Sequence, residues 1–194
     1  MGASERRPLR AQWRKLPSGE PADADEWVAL LSKRVAEEGS SMNGWLAIDP
    51  GVSGAVALVR QDGTVSMLED MPEAGGEVDA VALAADLAPY VGTVHGCIIE
   101  RVGAMPGQGV SSMFRFGRSV GAVEGVCGAL RLPCRWVAPG VWKRYHGLLR
   151  GSKDDARRLA VQRWPDWGDM LRLKKHHGRA DALLMAAWGV EVLR

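Results

Sequence analysis

The amino-acid sequence predicts a mixed α/β sheet with helices on both faces. Two β-rich apolar runs flank a tight turn at the start of the ordered part, and a second tight turn leads to a third run. Alternating strand and helix patterns follow to the C-terminus. At 194 residues the chain suits one domain with enough length to bury a core.

The elements follow in order. Residues 1–43 read as a mostly flexible extension, charged, Pro-containing and without apolar periodicity. Within it, "DADEWVALLSKRVAEE" has the cap and spacing of a short helix. The extension mixes acids with its arginines, unlike an acid-poor transit peptide. Residues 44–194 form the expected domain. "GWLAI" and "AVALV" are strands flanking the turn "DPGVSG", and "QDGT" marks a second hairpin leading into "VSML". "DAVALAADLAPYV" has helical spacing up to about Pro89. "VHGCIIE" is a buried strand, and a Gly- and Pro-rich loop then precedes a long helix over Ser111–Leu130. "CRWVAP" reads as another buried strand, "SKDDARRLAVQRW" as a Ser-capped helix and "RADALLMAAWGVEVL" as the closing helix.

Composition bounds the function. Apolar residues make up 46% and charged residues 25% of the chain, which describes a globular protein rather than a disordered one. No apolar run approaches the ~18 residues of a membrane span, so no membrane partner is expected. Cys97, Cys127 and Cys134 lie in apolar segments without paired metal-ligand spacing, and read as reduced thiols of an intracellular protein. The net charge of +2 hides an uneven distribution. Gln61–Glu100 holds eight Asp/Glu and no Lys or Arg, whereas Arg131–Arg179 holds thirteen Lys/Arg against four Asp. Such a sided surface suits a polyanion, although two solvated faces would look the same in sequence.

The chemistry concentrates in acids at element ends. Asp49 follows "WLAI" and Glu100 follows "CII", so two strands each present a carboxylate at the C-terminal end. Each acid alone could merely begin a turn. If the strands are parallel neighbours, the pair repels unless a proton or a cation lies between. Hard cations such as Mg²⁺ or Mn²⁺ suit such oxygen ligands. Asp181 opens the last helix, as a simple cap or as a third ligand. His177 lies four residues earlier, on the same face if the helix starts that early, unless Gly178 bends the chain between them. It is either a surface histidine or a base, water-orienter or ligand. Three such acids could hold two cations roughly 3.5–4 Å apart, as in phosphodiester cleavage. Lys143 and Lys153 lie in segments leading to that helix, and Lys174, Lys175 and Arg179 surround its start; all five are candidate phosphate contacts.

Gly117, Gly121 and Gly125 recur every four residues along the long helix. Each weakens an isolated helix by about 1 kcal/mol relative to alanine, so the stripe needs a close-packed helix as partner. That partner is either a helix of the same chain or a second copy. In the preceding loop and first turns, Met105, Gln108 and Phe114 are candidates to meet opened bases, and Phe114 could equally be core.

Taken together, "IDPGVSGAVAL", "IIERVGAMPGQGVSSMFRFG", "SKDDARR" and "KKHHGRADALLMAAWG" resemble the RuvC-type Holliday-junction resolvases of the RNase H-like fold, nearest in spelling to the plant and algal chloroplast branch. The resemblance runs from about Gly44 to Gly189. It implies a five-stranded RNase H-like sheet and a homodimer that cuts opposing strands of four-way junction DNA in recombination and repair. It makes Asp49, Glu100, His177 and Asp181 the catalytic metal ligands, Lys143 and Lys153 the basic positions, and Mg²⁺ the cofactor with Mn²⁺ able to substitute. It implies a chloroplast nucleoid location. His176 departs from the family pattern, where Asp is frequent. Two other readings stand beside it: a junction-binding module without catalysis, and a sugar-kinase-like or actin-like ATPase, since "DPGVSG" also resembles a phosphate-gripping hairpin. No second phosphate loop or adenosine motif accompanies that hairpin, so no nucleotide cofactor is expected.

Overall fold

The computed structural model describes residues 43–103, 107 and 109–193. The N-terminal extension with its expected helix, Met105 and Gln108 lie outside the described residues. Strands β1 (Trp45–Ile48), β2 (Ala55–Val59) and β3 (Val65–Asp70) form an antiparallel meander. A small hairpin, β4 (Glu73–Ala74) and β5 (Glu77–Val78), follows. Helix α1 (Ala80–Leu87) ends in a 3₁₀ turn through Pro89 and leads to β6 (Gly96–Glu100). Helix α2 (Val110–Ala129) and strand β7 (Cys134–Val137) come next. Then follow α3 (Pro139–Tyr145), α4 (Lys153–Arg163), the single turn α5 (Gly168–Leu171) and α6 (His177–Val192). The main sheet has the order β3-β2-β1-β6-β7, with β6 parallel to both β1 and β7. This is the expected mixed five-stranded sheet.

Period-2 alternation sends alternate side chains to opposite faces, and the two faces differ in bulk. Leu46, Ile48, Val56, Leu58, Cys97 and Ile99 project toward α1 and α2 and meet Leu83, Leu87, Val123 and Val126. The opposite face, under α6, is paved with the small residues Ala47, Ala55 and Ala57 beside Trp45 and Ile98. Helix α6 matches it with its own small residues and is buried nearly all round, with α4 packed outside. At Gly189 a Cβ would lie 2.5 Å from Ile98 Cδ1 and 2.8 Å from Trp45 Cγ, so the helix rests directly on the strands.

Two expectations change. "CRWV" is the edge strand of the sheet, and only Val137 is buried. Its apolar side chains divide between the two faces, Val137 in the core under α6 and Trp136 partly covered on the other, while Cys134 and Arg135 are exposed. Helix α3, begun by Pro139 at its first turn, lies in a stretch without helical patterning. Among the described residues no helix is long and apolar enough to cross a membrane.

The contact at Gly189 sets the height of α6 above the sheet. Gly189→Val is expected to destabilise the protein by about 1–3 kcal/mol, the usual cost of overpacking. Urea unfolding measures this; an unchanged midpoint would show that α6 can lift without cost.

Candidate active site

The first two carboxylates are brought together by register. β1 and β6 are parallel neighbours with Ile48 opposite Ile99, so Asp49 and Glu100 leave the sheet side by side at its C-terminal edge. After Asp49 the chain reverses at once. Gly54 N–H donates to the Gly51 carbonyl at 2.8 Å, and a Cβ on Gly54 would lie 2.1 Å from the Asp49 carbonyl. Asp49 Oδ1 accepts from Gly51 N–H at a long 3.5 Å, so beginning the turn uses little of this carboxylate.

The third carboxylate arrives on α6. The helix begins at His177, so Gly178 is helical and His177 and Asp181 do lie one turn apart on one face. The first turn is seated on the β1–β2 turn. A Cβ on Gly178 would lie 2.7 Å from the Ser53 carbonyl oxygen, 3.0 Å from Gly54 Cα and 3.2 Å from Asp49 Oδ2. Glycine at 178 is therefore what lets the start of α6 touch the Asp49 carboxylate. Arg179 holds the helix from the other side. Its Nε and Nη2 donate to both carboxylate oxygens of Asp70 at 2.6 and 2.5 Å, and Nη1 donates to the Met170 carbonyl at 2.8 Å. That pairing keeps the Asp70 carboxyl below the ordinary carboxylate range.

Helix α3 closes the site. Trp142 is fully buried, and its indole Nε1–H donates to Glu100 Oε1 at 3.0 Å. Lys143 Nζ lies 3.9 Å from Asp181 Oδ2 and 5.0 Å from the centre of the Trp142 ring. Glu100 is itself only 7% exposed. Burial, and then the negative charge of Asp49, push its carboxyl above the ordinary carboxylate range; the Trp142 hydrogen bond and the Lys143 charge pull it back. Among the described residues, the acids do not form a group with every ligand atom within 4.8 Å of the others.

The predicted site residues thus divide. Asp49, Glu100, His177, Asp181 and Lys143 surround one corner. Lys174 and Lys175 are exposed on the 3₁₀ turn just before α6. Arg179 is engaged by Asp70 and Met170, so its guanidinium clamps α6 to β3 instead of facing outward. Lys153 is the first residue of α4, after Ser152, whose backbone N–H and hydroxyl both donate to Asp155 Oδ2. Phe114 is 66% exposed in the first turns of α2, which removes the core reading. His176 is buried, and its Nδ1 accepts from Leu173 N–H at a long 3.4 Å. Burial, with Arg179 close by, holds its imidazole below its ordinary value. Trp142 escaped the sequence reading; its one signal was an apolar aromatic directly before a singled-out lysine.

Comparison with known proteins agrees with this architecture. No family model matches the chain. It is 30% identical over 185 residues to "Holliday junction resolvase MOC1, chloroplastic" of Chlamydomonas reinhardtii, an alignment covering 92% of this chain. The chain spans 19% of the length of that curated relative. Among solved structures it resembles Thermus thermophilus RuvC in complex with a Holliday junction substrate, with a TM-score of 0.55 and 16% identity over 78% of this chain and 96% of that one. A second structure of Thermus thermophilus RuvC gives a TM-score of 0.53 and 14% identity over 76% and 95% of the two chains. The fold is that of RuvC, an RNase H-like sheet.

The Glu100 environment makes a signed prediction for the protein without added cation. Followed by carboxyl NMR titration, Glu100 should titrate lower in Asp49→Asn and higher in Trp142→Phe; a downward move in the second variant would refute the assigned hydrogen bond. Because its folded pKa lies above its unfolded one, Glu100 favours folding at acid pH, and that contribution is lost as pH rises through the folded value. Glu100→Gln should therefore gain stability relative to wild type toward neutral pH.

Proposed function

We propose that this chain, a relative of the RuvC-type junction resolvases, is a structure-selective endonuclease that hydrolyses phosphodiester bonds in four-way DNA junctions. The observation that carries the proposal is the acid corner: Asp49 and Glu100 in register on parallel strands, with the Asp181 helix seated against Asp49 through Gly178. A catalytically silent binding module would have no use for a buried, like-charged pair whose ionisation opposes folding.

The donor set fits a hard divalent cation. Asp49, Glu100 and Asp181 supply carboxylate oxygens and His177 an imidazole nitrogen, a combination that suits Mg²⁺ with Mn²⁺ as substitute, as one ion or a pair. When bound, such ions polarise the phosphoryl oxygen and make water a nucleophile near neutral pH. The remaining work belongs to the chain. Trp142 orients Glu100 through its indole N–H, and Lys143 offsets the charge of Asp181. His177, one helical turn from Asp181 on the same face, is the imidazole ligand of this reading. Lys174 and Lys175 extend the positive charge outward from the start of α6, where phosphates of the arms would lie, and Lys153, Met105, Gln108 and exposed Phe114 are further DNA contacts of this reading. The curated relative's name places that protein in the chloroplast, and the same compartment is proposed here.

Symmetric cleavage requires two centres. A Cβ at Gly117, Gly121 or Gly125 would meet nothing within 4 Å outside the helix itself, so no described part of this chain covers the glycine stripe. Helix α2 packs on α1 and β5 through its other side, and Arg118 pairs with Glu77 at 2.6 Å. An open groove runs from Val102 and Gly103 along Met113, Phe116, Val120 and Gly121. The same face of a second copy is the proposed occupant, forming a homodimer through α2.

Incubation with a labelled four-way junction and Mg²⁺ should yield paired nicks in opposing strands. Asp49→Asn should lower the rate by at least about 100-fold, beyond the usual cost of losing an outer-shell partner; full activity in that variant, or no cleavage by wild type, would sink the proposal. Gly121→Arg tests the dimer separately. Monomer stability should hold or rise, since arginine exceeds glycine in helix propensity by up to about 1 kcal/mol, while sedimentation shows loss of the dimer. A dimer that persists would place the interface elsewhere.

A further inference from the structure

The three cysteines, read from sequence as reduced thiols without metal-ligand spacing, meet in space. Cys97 on β6, Cys127 near the end of α2 and Cys134 at the start of β7 have all three Sγ atoms within 4.8 Å of one another. Among the described residues this is the only group of three or more His, Cys, Asp or Glu that tight. Two structural features bring them together. Cys97 and Cys134 are register partners across parallel strands, so their side chains leave the same face of the sheet. Cys127 arrives through a tight return from helix to strand, in which Leu132 N–H donates to the Cys127 carbonyl and Arg131 N–H to the Gly128 carbonyl, each at 3.0 Å. Arg131 adopts φ 53° there, the only positive φ of a non-glycine among the described residues. A residue held in that region costs of order 1–3 kcal/mol, so the return is maintained against strain.

We propose that Cys97, Cys127 and Cys134 form a binding site for one thiophilic cation of the Zn²⁺ class, separate from the acid corner and at the opposite end of β6. Zn–S bonds of about 2.3 Å place ligand sulfurs roughly 3.8–4.0 Å apart in tetrahedral or trigonal geometry, which the observed span accommodates with small side-chain adjustments. Cys97 and Cys127 are buried, whereas Cys134 is exposed on the edge strand. The buried pair forms the floor, and the edge strand provides the entry path and room for a water as fourth ligand. Cys134 Sγ donates to the Leu132 carbonyl at 3.2 Å and Cys97 Sγ to the Ile98 carbonyl at 3.9 Å, contacts that a cation would replace. Binding releases the protons of the thiols, and the cation ties β6, β7 and the end of α2 together. Thiolates select soft or borderline cations, so Mg²⁺ has no claim on this site.

Co²⁺ titration of the full, reduced chain tests the assignment by absorption instead of cleavage. Near-ultraviolet thiolate-to-Co²⁺ charge-transfer bands should grow to about one equivalent and be abolished by Zn²⁺, which displaces Co²⁺ from N/S sites. The bands should persist in Asp49→Asn, which separates this site from the acid corner. Cys134→Ser should weaken binding by at least about tenfold, the lower end of what a lost outer-shell partner costs. Because Cys134 is exposed, that variant is expected to fold, and Zn²⁺ should raise the melting temperature of the wild type more than that of the variant. Absent charge-transfer bands, bands unchanged in Cys134→Ser, or a disulfide found by intact mass in place of bound metal would each overturn the proposal.

Discussion

The close approach of α6 to the sheet is the constraint on which the rest of the molecule depends. A helix normally stands off a sheet by the length of two side chains; here alanines on the strands and glycines on the helix remove most of that length. Gly189 rests on Trp45 and Ile98, and Gly178 rests on the backbone of the β1–β2 turn. Because both ends are in contact, the start of the helix has little freedom in height or tilt. Asp181 and His177 inherit that position. The Arg179–Asp70 pair and the Met170 carbonyl then limit rotation about the helix axis.

Against this rigid frame the acid corner is electrostatically strained. Glu100 sits in a nearly buried place beside another carboxylate, which favours its neutral form. One indole hydrogen bond and one ammonium at 3.9 Å from Asp181 offset only part of that cost. Such a corner weakens the folded state near neutral pH, a cost that the cation proposed for it would relieve. The basic half of the sequence is less uniformly outward than its charge count implies. Arg157, Arg158, Arg163 and Arg179 pair with Asp154, Asp155, Glu191 and Asp70, whereas Lys174 and Lys175 stay exposed beside the corner.

Much of the site was legible in the sequence because its signals are local. A strand's apolar run ending in Asp49 or Glu100 is written in consecutive residues, and so is an apolar helix whose first turns carry His177 and Asp181. Trp142 was not legible, since its role is a hydrogen bond to a residue forty-two positions away. Nor were the cysteines, whose spacing along the chain matches no local metal motif although the sheet register makes Cys97 and Cys134 neighbours. Arg179 read as an outward phosphate contact because nothing near it in sequence shows that Asp70 lies within reach.

By itself the sequence determined most of the strands and helices, though not α3, α5 or the β4–β5 hairpin, and where acid and base concentrate. Those properties follow from periodicity and composition, which act over a few residues. Tertiary structure alone decided that Asp49 and Glu100 are in register, that Gly178 lets the Asp181 helix touch Asp49, and that the glycine stripe of α2 faces away from the rest of the described chain. The physical reason is packing: strand order and the height of a helix above a sheet depend on how distant side chains fill shared space, and no local pattern encodes that.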